Sequence, residues 1–373
     1  MTRKQGWVEG ICSGIMRNQN IPSLIKMKGQ KLTANKRGSR KKALPPMFAS
    51  KKGIFFTLIS LVLVTIITHI FTQGTAGLGE NEATEIRIRV LDSFISKMES
   101  SYIPLALESA TFRGVNKTVW YMYTQEPDVW LTNPGEELGS IIKNGTLETP
   151  AGTMLILDNN TLMNFTRRIK SIAAASYGME VSVDIHDVRL SQIAPWQLES
   201  RVNFSLTAKS SIANWSRQYR IATATLSIEG FPDPQYAVNT EGDYVKVVHR
   251  ATTQPSQWDA ALLGDFIASG NYTRFEGASA PSYLERFKQS PSSSSCCGIE
   301  STINDALLPL AMRNQQKSYA DYHYFASSSP CPNGGQPADL YNIVDASIIP
   351  PFRLDFDHAI KYSVDAQATQ ISC

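Results

Sequence analysis

The chain has 373 residues, enough for one large domain or two ordinary ones, and a formal net charge of only +3. That charge averages two unlike parts, because residues 1–52 hold thirteen basic residues and one acid, whereas the rest holds 23 basic and 32 acidic residues. A basic block is typical of nucleic-acid binding or of the flank of a membrane segment. Since this block stops abruptly at an apolar stretch, the pattern favours a membrane flank, and nucleic acid is not expected as a partner.

The apolar stretch runs from Ile54 to Phe71 and reads IFFTLISLVLVTIITHIF, without a charge. A helix of this length, at about 1.5 Å per residue, approaches the roughly 30 Å hydrocarbon thickness of a bilayer. The sequence therefore predicts one transmembrane helix within residues 53–73, with the lipid bilayer as a partner. His69, near one end of the stretch, is interpreted as part of this helix rather than as a functional intramembrane group.

Charges on the two sides of this segment predict its orientation. Four lysines precede it and three glutamates follow it: Lys41, Lys42, Lys51, Lys52, Glu80, Glu82 and Glu85. Positive charge flanking a span stays in the cytoplasm. We therefore expect a protein of the cell membrane. Residues 1–52 would form a cytoplasmic tail, and the chain beyond residue 73 would be extracellular.

Glycosylation sequons show the same asymmetry. All seven Asn-x-Ser/Thr sequons follow the apolar segment, at Asn116, Asn144, Asn159, Asn164, Asn203, Asn214 and Asn271. Such sites are modified on exported parts of a protein, so the sequence predicts a glycoprotein.

Cysteines agree with an oxidising compartment outside. Cys12 is alone in the tail, whereas Cys296, Cys297, Cys331 and Cys373 form an even set of predicted disulfide partners. Because a bond between adjacent cysteines strains the intervening peptide, we expect Cys296 and Cys297 each to pair with one of the other two. Both such pairings remain open. The spacing does not match that of a metal site.

The residues just before the apolar segment carry a family resemblance. Lys51-Lys52-Gly53 followed by IFFTLISLVL resembles the class III signal of archaeal type IV pilin-like surface proteins. The resemblance implies cleavage between Gly53 and Ile54, with Lys52 as part of the signal, and packing of the mature helix into a filament core. Met47 as the start would make the leader short. An uncut anchor is the alternative, and a small-residue site for an ordinary signal peptidase lies at residues 74–76.

Beyond the membrane segment, residues 74–125 are predicted to form a Gly-rich joint and a long amphipathic helix or stalk. Apolar or small residues recur at spacings of three and four: Ile88, Leu91, Ile95, Met98, Tyr102, Leu105, Ser109 and Phe112. This spacing predicts one apolar face along the whole helix. Pro104 predicts a kink in it.

Residues 126–273 are predicted to form an α+β ectodomain. Asn133-Pro-Gly indicates a break, and Thr161 to Tyr177 is typical of a helix that ends at Gly178. Alternating residues then predict strands from Val181 to Ile185 and from Leu198 to Leu206, and two further strands are expected over residues 218–228 and 244–249. The order predicts an antiparallel sheet packed on the long helix, an α+β fold.

The region 274–373 is rich in Ser, Gly and Pro at its start and is expected to be loop-rich and disulfide-bonded. It contains one cluster with possible metal chemistry, Asp355, Asp357 and His358, which Asp321 and His323 could join. Because Asp355 and Asp357 alternate with Leu354 and Phe356, we interpret them instead as the polar face of a strand. No metal, cofactor or catalytic residue is therefore predicted.

Three functions fit these patterns. The favoured one is a structural or adhesive pilin-like surface protein, with other copies of itself or other envelope or pilus proteins as partners. The second is a ligand-binding or sensory ectodomain that acts through a partner. The third is a surface-tethered hydrolase, which no recognised catalytic motif supports, so the chain is not expected to be an enzyme.

Overall fold

The structure is a computed structural model. It describes residues 64, 80–124, 129–150, 152–252, 257–275, 280–313, 317–326, 340–345, 348 and 352–371. The chain divides into two compact units, Met1–Thr75 and Ala76–Cys373. The predicted membrane segment lies outside the described residues except for Val64, and Lys52, Gly53 and Ile54 lie outside them as well. Among the helices that the structure describes, none is both long and apolar enough to cross a membrane.

The second unit opens with the predicted long helix, which has three parts. Helix α1 (Glu80–Lys97) leads through a π-helical turn (Met98–Tyr102) into helix α2 (Ile103–Thr124). The backbone N–H of Ile103 reaches back five residues to the carbonyl of Met98. Pro104, the second residue after this turn, has no N–H to donate and its ring would crowd the preceding turn of an α-helix. The wider π turn accommodates it. The predicted irregularity at Pro104 is therefore a π turn.

This turn rotates the buried face of the helix, which corrects the predicted stripe. Leu91, Ile95 and Met98 are buried as expected. After the turn, however, Leu105 and Phe112 are each 51% exposed, and the core residues are shifted by one or two positions to Ile103, Ala106, Leu107, Ala110 and Thr111. A π turn contains about one residue more than an α turn, so a constant three-and-four spacing loses the core face at this point.

The other helices are α3 (Pro134–Asn144), α4 (Leu162–Tyr177), α5 (Pro234–Asn239), α6 (Ala260–Ser269), α7 (Asp321–Ala326) and α8 (Phe356–Lys361). The break predicted at Asn133-Pro-Gly is the start of α3, because proline is tolerated in the first helical turn. The predicted second helix is confirmed as α4. Thr161 caps its start, and Gly178, at φ 61°, ends it in the left-handed region.

The strands are β1 (Thr146–Thr149), β2 (Gly152–Leu155), β3 (Glu180–Ala194), β4 (Gln197–Lys209), β5 (Asn214–Ser227), β6 (Thr273–Arg274), β7 (Ile299–Glu300), β8 (Leu340–Ile343), β9 (Phe352–Asp355) and β10 (Ala368–Gln370). All pair antiparallel, in sheets β1-β2, β3-β4-β5, β6-β7 and β10-β8-β9. The predicted mixed α+β class with antiparallel sheets is confirmed.

Strands β3, β4 and β5 form the main sheet, whose inner face packs on α2. The side chains of Leu198, Val202 and Phe204 are buried, and Thr111 of α2 donates to the hydroxyl of Ser200 at 2.9 Å. The fourth predicted strand, residues 244–249, is wrong. Only an isolated bridge between Pro232 and Val247 forms within it, because this segment carries Lys246 into a buried polar cluster instead of extending the sheet.

Helix α3 packs against the middle of edge strand β3 at very short range. A β-carbon added to Gly135 would lie 2.6 Å from the carbonyl oxygen of Leu190, and one added to Gly139 would lie 2.0 Å from that of Val188. Two glycines four residues apart share one face of a helix, so this face can approach the strand backbone directly.

Gly139→Ala is expected to lower the free energy of unfolding by about 1–3 kcal/mol, because the new methyl group overlaps a backbone carbonyl. Urea unfolding measures this change. Alanine in place of glycine in a helix normally stabilises it by roughly 0.8–1 kcal/mol, so a loss has the opposite sign from the propensity effect.

Ser140→Ala, in the same helix, is the matched control and should be nearly neutral. If Gly139→Ala were neutral or stabilising, the close contact of α3 with β3 would be refuted.

Candidate functional site: a buried charge network

The predicted cluster around His358 is a buried group of ion pairs. Asp355 ends β9 and caps the start of α8, where its carboxylate accepts from the backbone N–H of His358 at 3.1 Å. The same carboxylate contacts Nδ1 of His358 at 2.7 and 2.8 Å. Ser318 donates to its other side at 2.5 Å. The strand-to-helix junction thus fixes His358, which is 1% exposed.

The other ring nitrogen of His358 faces Glu300 of β7. Nε2 lies 3.2 Å from the Glu300 carboxylate and 3.1 Å from the hydroxyl of Tyr322. Lys361 and Tyr362 also donate to Glu300, which is fully buried. Helix α8 and the residue after it therefore present an imidazole, an amine and a phenol to one carboxylate.

A second cluster, centred on Arg286, adjoins the first. Arg286 is fully buried and its guanidinium contacts Asp233 at 2.9 Å and Asp321 at 2.9 and 3.2 Å. It also donates to the carbonyl of Ile299 at 2.6 Å. Tyr272 donates to Asp233 at 2.8 Å. The two clusters are adjacent at two points of the chain. Ile299 and Asp321 contact Arg286, and the residues that directly follow them, Glu300 and Tyr322, contact His358.

Lys246 completes this second cluster from the segment that does not form a strand. Its amine donates to the hydroxyls of Ser301 at 2.8 Å and Tyr236 at 3.1 Å. It also lies 4.6 and 4.8 Å from the ring centres of Tyr236 and Tyr272. Ser301 in turn donates to Asp321 at 2.7 Å, so the amine reaches a carboxylate through one hydroxyl.

The pKa values follow from burial and from these partners. Burial disfavours the charged form of Glu300, but Lys361 and His358 outweigh it and lower the pKa of Glu300 to about 2. Burial likewise opposes protonation of His358, yet Glu300 and Asp355 raise its pKa to about 10. For Lys246, burial dominates and lowers the pKa to about 8.

Each cluster balances its own charge. His358 and Lys361 offset Glu300 and Asp355, and Arg286 and Lys246 offset Asp233 and Asp321. Buried ions are tolerated when they are paired and hydrogen-bonded in this way. In the arrangement each acidic group has a basic partner, whereas Nε of Arg286 is buried and has no hydrogen-bond partner among the described residues.

The residues of possible metal chemistry, interpreted instead as the polar face of a strand, do not all lie together. Ligand atoms of His323, Asp355 and His358 lie within 4.8 Å of one another. Asp357 is exposed and Asp321 binds Arg286. Two ligands of a tetrahedral zinc ion lie roughly 3.3–3.6 Å apart, given bonds of about 2.0–2.2 Å. The shorter Asp355–His358 contact is that of a direct hydrogen bond between ionised partners, so the cluster fits an ion pair better than a metal site.

The strand that was predicted through Asp357 ends at Asp355. Helix α8 starts at Phe356, because the Asp355 side chain caps it.

The disulfide differs from the prediction. Cys296 and Cys297 are bonded to each other, in a turn over residues 295–297 that brings adjacent side chains together. Cys296 is exposed, whereas Cys297 is buried, with its sulfur 3.5 Å from the carbonyl of Gln192. The expectation that adjacent cysteines would not pair is therefore wrong. Cys331 and Cys373 lie outside the described residues.

The seven sequon asparagines are all at surface positions, but to different degrees. Asn144, Asn159 and Asn214 are exposed, and Asn116, Asn164, Asn203 and Asn271 are half-buried. Their glycosylation stays a prediction.

Sequence patterns did not reveal Lys246, Arg286 or Glu300. Each stands in a segment without a motif, and a charged residue is ordinarily expected at the surface. Only the long-range packing of residues 233–321 shows that these charges are buried together.

Comparison of the chain with protein-family models, with curated proteins and with solved structures found no match.

Thermal unfolding is expected to depend on pH through His358. Its folded pKa of about 10 exceeds the usual 6.5, so its contribution is fully present below pH 6.5 and is lost as pH rises toward 10. Glu300 acts on the acid side, where stability is present above pH 4.5 and is lost as pH falls toward 2. The folded pKa of Lys246 is about 8, below its usual 10.5, so its contribution to stability increases as pH rises through this range. This change opposes that of His358, and the two effects are separated by mutation.

His358→Gln should flatten the alkaline decline relative to the unmodified protein, while the effect of Lys246 is common to both. Parallel pH profiles for the two proteins would contradict the assigned His358 ion pairs.

Arg286→Met is expected to lower the free energy of unfolding by about 3–5 kcal/mol, because it leaves Asp233 and Asp321 buried without their cation. Arg189→Met is the control, since Arg189 forms an exposed pair with Asp187 at 2.8 Å and such pairs contribute about 0–1 kcal/mol. Equal losses for the two variants in urea unfolding would show that the buried pairing does not matter.

Proposed function

We propose that the protein is a single-pass, membrane-anchored, glycosylated surface protein of the pilin-like type, with a structural or adhesive role outside the cell. The observation that carries the proposal is the order of two features. The uncharged segment Ile54–Phe71 is followed, after eight residues, by one continuous helical path from Glu80 to Thr124. An apolar helix that leads into a long helix packed on an antiparallel sheet is the organisation that the class III signal implies.

Burial along the helical path supports this proposal. Ile86 is 42% exposed, and Leu91 is the first buried residue of the path. From there the helix is held to the sheet, where Trp215 of β5 donates to Asp92 at 3.2 Å and Arg220 bonds Glu99. The start of α1 thus contributes little to the core, as expected of a stalk that joins a domain to an anchor.

An enzymatic role gains no support from the titratable groups. The perturbed carboxylates and amines of the buried network are already paired, and a pair engaged in this way does not offer a free acid and base to a substrate. A ligand-binding role remains the second candidate, because the outer face of the main sheet carries exposed apolar side chains.

The mature protein, isolated from its native membrane, is expected to begin at Ile54 when its N-terminus is sequenced. Gly53→Leu should abolish this cleavage, because the signal requires a small residue directly before the cut. The matched control is Gly74→Leu, which alters the alternative small-residue site and should leave the start at Ile54.

A mature start at Met1 or Met47 would refute pilin-like processing and leave an uncut anchor. Loss of cleavage in Gly74→Leu alone would instead assign the cut to an ordinary signal peptidase.

A further inference from the structure

Two β-bulges meet at the same level of the main sheet. Strand β3 has an extra residue, His186, between the pairs Ile185–Phe204 and Asp187–Asn203. Strand β5 has an irregularity between the pairs Phe204–Arg220 and Leu206–Arg217, where Tyr219 lies. Bulges redirect side chains and are usually specific features rather than defects. Here they flank the central strand β4 from both sides.

The bulges bring two rings together over Ser205. The rings of His186 and Tyr219 stack at 5.6 Å between centres. The Ser205 hydroxyl lies 2.7 Å from Nε2 of His186 and accepts from the backbone N–H of Tyr219 at 3.4 Å. Tyr219 has φ 51°, a left-handed conformation that is costly for an aromatic residue, and it is 75% exposed.

Burial does not explain this arrangement. A strained tyrosine on a sheet would normally be compensated by packing, yet Tyr219 is among the most exposed apolar residues of the described chain. Its neighbour Ile221, on the same face, is 52% exposed. A strained and exposed aromatic side chain beside an exposed apolar one indicates that something covers this face.

The residue directly opposite Ile221 is the sequon asparagine Asn203. Asn203 and Ile221 are register partners in β4 and β5, and Tyr219 is a diagonal neighbour at roughly 7–8 Å. The side-chain oxygen Oδ1 of Asn203 is buried and has no hydrogen-bond partner among the described residues, while the residue as a whole is only half-buried. A glycan is attached to the other side-chain atom, the amide nitrogen, and the half-buried residue leaves part of its side chain open to solvent.

We propose that Asn203 carries a glycan whose first sugars lie on Ile221 and on the His186–Tyr219 stack. A sugar ring presents an apolar C–H face to an aromatic or aliphatic side chain and keeps its hydroxyls toward water. Tyrosine is amphipathic in the same way, with an apolar ring and a polar hydroxyl. A protein partner is disfavoured, because two exposed apolar side chains supply far less than the roughly 1,000 Å² of a stable interface.

The sequon itself sets the order of events. Its third residue is Ser205, which is 5% exposed and engaged by His186 and Tyr219. A transferase that must reach this hydroxyl can do so only before β4 is folded, so attachment precedes formation of the sheet. The proposal rests on the proposed function in one respect, namely that this unit is exported.

The test is peptide mass spectrometry of the full-length protein from its native host, combined with thermal unfolding of variants. A glycan is expected on the peptide that contains Asn203. Asn203→Gln should lower the unfolding midpoint by about 2–4 °C, and this loss should largely disappear in the Tyr219→Ala background. Asn159→Gln, which removes an exposed sequon in a turn, is the control and should change the midpoint little in either background.

The outcomes separate the two proposals. An unmodified Asn203 beside glycans at Asn144, Asn159 or Asn214 would overturn this inference and leave export intact. An unmodified protein at all seven sequons would count against export as well. A glycan at Asn203 whose removal lowers the midpoint equally with and without the Tyr219→Ala substitution would overturn the contact, even if Tyr219→Ala by itself unfolds more easily.

Discussion

The ion pairs of Arg286 hold together segments that are distant in the sequence. One guanidinium bonds Asp233 before α5, Asp321 at the start of α7 and the carbonyl of Ile299 in β7. None of these segments has enough regular structure to define its own position, because β6 and β7 are two residues long and α5 and α7 are six. A fully buried cation requires its anions, so the position of each segment is tied to the others.

The same constraint extends to the C-terminal segments. Glu300 follows Ile299, and its carboxylate contacts His358 and Lys361 of α8 and Tyr362 directly after it. Strand β9 and helix α8 are joined by the Asp355 cap, which fixes the direction in which the helix leaves the strand. Two charge-balanced clusters thus connect these short elements, in addition to the apolar core that the second unit shares with the sheet and the long helix.

The main sheet and the buried charge network also differ in which of their side chains are accessible. In the part with the long sheet, exposed features are placed on regular elements, such as the stacked His186 and Tyr219 and the exposed start of α1. In the buried network, the carboxylates of Glu300 and Asp321 are inside and paired with basic groups. The proposed surface role would use the exposed sheet face and the exposed start of α1.

Local sequence patterns predicted the elements whose residues act through near neighbours. Thr161 and Gly178 marked α4, and alternation marked the first third of β3 and most of β4. One-sided charge and sequons suggested topology. Capping, pleating and flanking charge are all local effects. The tertiary structure alone decided the rest. The π turn before Pro104 moved the core face of α2, the fold turned residues 244–249 away from the sheet, and a tight turn joined Cys296 to Cys297. Arg286, Lys246 and Glu300 became a network only through contacts across 35, 55 and 58 positions, and the energy of a buried charge depends on partners that its sequence neighbours do not reveal.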